Sequence, residues 1–133
     1  MLRHTLATLA YRFNRAAEGA PADFGSYRAG SARTPVEILA HIGDLMDWAL
    51  RQADGVPDWT EAPPQEWDAE LTRFRAALAK LDERLASGPV LCDEKRLFQG
   101  PIADALTHTG QIALLRGMQG APVRPKNYFK ADI

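Results

Sequence analysis

A chain of 133 residues is about the size of one domain and short for two, so residues 1–133 are expected to fold as a single unit. With 46% hydrophobic and 25% charged residues it carries no signature of disorder. Its net charge of −1 argues against the basic face a nucleic-acid partner needs.

The opening segment predicts a first helix from about Leu2 to Ala17, with Leu2, Leu6, Leu9 and Phe13 recurring at three- and four-residue steps. Arg12 and Arg15 interrupt its apolar run, which is too short and too charged for a signal sequence or a membrane span. A cytoplasmic protein with no membrane partner is expected. The lone cysteine, Cys92, fits that compartment because it has no partner for an internal disulfide.

The second helix has the best-marked start in the chain. Thr34 suits the N-cap, Pro35 the first helical position and Glu37 the reciprocal partner of a capping box. Ile38, Leu39, Ile42, Leu45, Met46, Ala49 and Leu50 form a broad apolar face, His41 lies among them, and Asp54-Gly55-Val56-Pro57 ends the helix. A third helix is predicted over Gln65–Ala86, with Trp67, Leu71, Phe74, Leu78, Leu81 and Leu85 inward and Glu70, Arg73, Lys80 and Glu83 facing water.

The run Pro89–Lys95 is expected to be loop, and the fourth helix to start at Gly100 or Pro101 and end at Met118. That helix is apolar almost all round, which suits a central position or cover by a second subunit. From about residue 120 an extended tail follows, whose Tyr128 and Phe129 are expected to dock on the helices. No segment alternates with period two, so the fold class is all-α, a four-helix bundle.

Asp104 and His108 stand four residues apart and share one face of the fourth helix. His41, inward on the second helix, would supply a third ligand if the two helices are neighbours. Two imidazoles and a carboxylate suit Zn²⁺, Ni²⁺ or Fe²⁺ and leave coordination positions open. Gln111 could orient a ligand from the next turn, and Trp48 could wall a pocket or belong to the core. Asp104 has a second explanation: with Pro101 as first helical residue, it would complement the helix dipole.

The stretches His41-Ile-Gly-Asp-Leu-Met-Asp-Trp48 and Asp104-Ala-Leu-Thr-His108-Thr-Gly-Gln111-Ile resemble the DinB-like superfamily of four-helix bundles, over essentially the whole chain. The resemblance implies a divalent metal on His41, Asp104 and His108, a homodimer, and a metal-dependent transferase or isomerase that uses a small-molecule thiol or electrophile. The family's usual pair on the last helix is two histidines; Asp104 departs from it and hardens the donor set. The rival is a non-catalytic dimeric bundle in which the polar residues or the metal are structural.

Overall fold

The computed structural model describes all residues, Met1–Ile133, and is all-helical. Its elements are α1 (Leu2–Ala17), α2 (Pro35–Ala53), α3 (Trp67–Ala86), a short α4 (Glu94–Leu97), a π-helical turn (Phe98–Ile102) and α5 (Ala103–Met118), with single 3₁₀ turns at Phe24–Ser26 and Tyr128–Lys130. The four long helices form a ring of neighbours: α1 and α2 each pack on both α3 and α5. No helix is long and apolar enough to cross a membrane.

Local chemistry sets the helix ends. Both halves of the capping box form at Thr34: the Thr34 amide donates to Glu37 Oε2 at 2.7 Å and the Glu37 amide donates to Thr34 Oγ1 at 3.4 Å. At the far end of α2, Gly55 takes φ +75°, the Val56 amide reaches the Arg51 carbonyl at 2.8 Å, and the Gly55 amide reaches Gln52 at 3.0 Å. This Schellman closure satisfies carbonyls the helix leaves free. Arg116, 5% exposed, closes α1 instead, donating to the Ala16 and Glu18 carbonyls at 2.9 Å each.

The core gathers side chains from all four long helices, among them Leu9 and Phe13 from α1, Ile42 and Met46 from α2, Phe74 and Leu81 from α3, and Ile112 from α5. Phe13 and Phe74 meet at 4.4 Å between centroids. The expected stripes on α1 and α2 are largely the buried ones.

Four expectations are corrected. The last helix begins at Glu94, not Gly100 or Pro101: Asp93 caps it through the Lys95 amide at 2.8 Å, and the helical path continues through the π turn into α5. Pro101 sits inside that turn; the wider π spacing, in which Ala103 N–H reaches the Phe98 carbonyl, accommodates a residue with no N–H to donate. The Pro89–Lys95 run is therefore loop only as far as Asp93.

Glu70 and Arg73 do not face water. Glu70 is 1% exposed and holds Arg73 Nε at 2.9 Å, while the same guanidinium meets Asp44 at 3.1 Å and Asp47 at 3.2 Å and donates to the Ala40 carbonyl at 2.7 Å. Gly43 makes room for it, since a Cβ there would stand 2.8 Å from the Arg73 guanidinium carbon. Burial pushes the Asp44 carboxyl above its ordinary value, and Arg73 opposes the shift. Finally, only half of the tail's aromatic pair docks. Tyr128 packs edge-on against Tyr11 with Arg12 over its ring at 3.9 Å, whereas Phe129 is 97% exposed.

Candidate metal centre

Because α2 and α5 are neighbours, His41, Asp104 and His108 come together. The ligand atoms of all three lie within 4.8 Å of one another. His41 Nε2 is 3.8 Å from Asp104 Oδ2, and His108 Nε2 is 3.5 Å from Asp104 Oδ1. The two imidazoles stand edge to face, centroids 4.8 Å apart. A tetrahedral ion with bonds of about 2.0–2.1 Å separates its ligand atoms by about 3.4 Å, so side-chain closure of an ångström or so would complete the grip. The donor set fits a divalent cation.

Gln111 bears on which nitrogen of His108 is free. Its Oε1 lies 2.7 Å from His108 Nδ1, a contact that the tautomer protonated at Nδ1 satisfies. In that tautomer, Nε2 turns a bare lone pair toward an anionic carboxylate. Neither atom can donate to the other, and a cation between them, a proton or a metal ion, resolves the contact. This is the hydrogen-bonding pattern by which an outer side chain fixes the tautomer of a ligating histidine. Replacing Gln111 by alanine is expected to weaken zinc binding about 10- to 100-fold in a competition titration with a chromophoric chelator, with the fold intact.

The continuity of the last helix bears on Asp104. A free helix start at Pro101 would have wanted a carboxylate for its dipole, but the amino-terminal end of the helical path lies at Asp93 and Glu94, more than two turns earlier. Asp104 instead directs its oxygens at two imidazoles.

Burial, then the His108 ring and the Arg33 guanidinium, push the His41 imidazole below its ordinary value, with Asp104 and Asp44 opposing. A neutral imidazole is the ligand form. The sign for stability follows from proton counting: below about pH 6.5 the unfolded chain protonates His41 before the folded chain does, so this group withdraws stability as pH falls through that value toward its lower folded one. Urea midpoints of the metal-free protein between pH 7.5 and 5.5 should therefore fall more steeply for the parent than for His41→Gln.

Two aromatic residues back the centre. Trp59, from the segment between α2 and α3, packs edge-on against His41 at 5.8 Å and against Trp48 at 5.6 Å. No local sequence pattern marks Trp59, because its partners belong to another element. Trp48 lines a shallow depression with Asp104, Gly100 and Thr107 on one side of the centre. On the other side His41, His108 and Gln111 line a cleft of about 590 Å³ walled by Ile38, Leu114, Leu115 and Met118. Its volume lies within the range of about 300–1,000 Å³ typical of small-molecule sites. Cys92 does not line the cleft; it is half-buried and its thiol is pushed up by burial and by Asp93, so it has no activated character.

Comparison of the chain with protein-family models, with curated proteins and with solved structures returns no match in any of the three.

Proposed function

We propose that this chain is a DinB-like protein that holds one divalent metal ion, Zn²⁺, Ni²⁺ or Fe²⁺, on His41, Asp104 and His108, and uses it on a small-molecule thiol or electrophile bound in the adjoining cleft. The observation that carries the metal reading is the meeting of the His41, Asp104 and His108 ligand atoms within 4.8 Å of one another, with His108 Nε2 turned to Asp104 and its Nδ1 taken by Gln111. An ion held by three protein ligands keeps positions open and lowers the pKa of a water or thiol bound there.

The chain's own residues prepare that site. Gln111 holds the His108 ring in its ligand tautomer, burial favours neutral His41, and Trp59 shields one edge of that ring from water. Trp48 supports Trp59 in turn. The apolar walls of the cleft would take the hydrocarbon part of a substrate beside the two imidazoles. A homodimer is part of the same reading; Leu114 and Met118, one turn apart on α5 and 64% and 56% exposed, offer it an apolar face at the mouth of the cleft.

A second reading, a non-catalytic bundle, has one observation in its favour: the cleft has no carboxylate of its own to act as a general base. Metal analysis of the purified protein beside His108→Ala, followed by a screen for conjugation of small thiols to electrophiles, separates the readings. Stoichiometric metal lost in the variant, with conjugation lost in parallel, supports the enzyme. Metal without conjugation supports the structural role, and equal metal content in both proteins rejects the site.

A further inference from the structure

The cleft beside the centre has walls that select a class of ligand. Ile38, Leu114, Leu115 and Met118 give it an apolar body, and Gln111 and the two imidazoles supply polar groups along one side. One formally charged residue lines it, Arg33, from the segment just before α2. No carboxylate lines the cleft, and Arg33 forms none of the protein's ion pairs, unlike the neighbouring Arg28, which pairs with Glu37 at 3.6 Å. A guanidinium with no internal partner, at the edge of an apolar cleft, is suited to a carboxylate or phosphate through paired N–H donors.

We propose that the cleft binds a small organic anion with an apolar body, its charged end on Arg33 and its hydrocarbon part along Ile38, Leu114, Leu115 and Met118. Such a molecule would be the substrate of the metal centre, and to that extent the inference rests on the function proposed above. Its binding does not, because Arg33 and the apolar wall lie outside the ligand set.

Calorimetric titration with octanoate, its neutral analogue octanamide and the cation octylamine tests the assignment, on protein as purified and after EDTA treatment. Octanoate is expected to bind at least about tenfold more tightly than octanamide in both preparations, the worth of one charge-assisted contact, and octylamine most weakly. Arg33→Gln should bring octanoate down to the level of octanamide, and Leu114→Glu should weaken octanoate further by placing a like charge on the wall; circular dichroism checks that both variants fold.

Equal binding of octanoate and octanamide, no binding of either, or a preference that survives Arg33→Gln would overturn the proposal. So would a preference seen only in metal-loaded protein, which would put the anion on the ion rather than on Arg33. Discrimination by a chain that retains no metal would leave the cleft assignment standing and reject the metal centre instead.

Discussion

Replacing Arg73 by leucine is expected to lower the thermal unfolding midpoint by about 10–20 °C, the largest single effect outside the apolar core. The guanidinium is the one cation serving Glu70, 1% exposed, and Asp44, 7% exposed, and it also satisfies the Ala40 carbonyl. Removing it leaves two buried carboxylates unpaired, at a cost of about 3–5 kcal/mol. The cost belongs to the unpaired charges, not to an intrinsic worth of the ion pairs. Adding Glu70→Leu and Asp44→Leu to Arg73→Leu should therefore recover much of the loss. A midpoint unchanged in the single variant would show that water reaches the cluster. Arg73 also clamps α2 at Ala40, Gly43 and Asp44, the residues flanking His41, so the single variant should loosen the metal centre.

The second large effect concerns the ligands themselves. His41→Ala and His108→Ala are each expected to reduce zinc affinity by more than about 100-fold, beyond what loss of an outer hydrogen-bond partner costs. Asp104→Asn should fall short of that, since an amide oxygen retains a lone pair but no charge. Asp104→His, which gives the site a third imidazole in place of the carboxylate, should retain binding and shift preference away from harder, oxygen-seeking cations. Competition titrations with Zn²⁺ and Mn²⁺ measure both. Equal affinity in the parent and His41→Ala would remove α2 from the site.

What the sequence disclosed divides along the line between local and long-range chemistry. The capping box at Thr34, the Schellman glycine after α2 and the step from Asp104 to His108 are set by residues within a turn of one another, and each stood in the sequence where the structure has it. The join of His41 to that pair required α2 and α5 to be neighbours, which spacing alone did not give. Glu70 and Arg73 were misplaced because amphipathic patterning assigns every charge to water, whereas a charge paired across helices can be buried. Pro101 misled for a related reason: proline marks a helix start more often than the inside of a π turn. Arg116 and Trp59 act through partners far along the chain, Arg116 on the carbonyls of Ala16 and Glu18 and Trp59 on the ring of His41, and neither had a local signature.

The Asp104 carboxylate gained most from the structure. In the sequence it was as well explained by a helix start as by a metal, and the helical path beginning at Glu94 removes the first explanation. The Gln111 contact adds what spacing could not, a partner for His108 Nδ1 that leaves Nε2 toward Asp104.

X-ray absorption at the zinc edge of loaded His4→Ala protein tests the central claim most directly, because His41 and His108 are then the only imidazoles in the chain. The account predicts one ion per chain, with two imidazoles and oxygen donors at about 2.0–2.1 Å. A shell containing sulfur would place the ion at Cys92, and a shell without imidazole, or no retained zinc, would contradict the site.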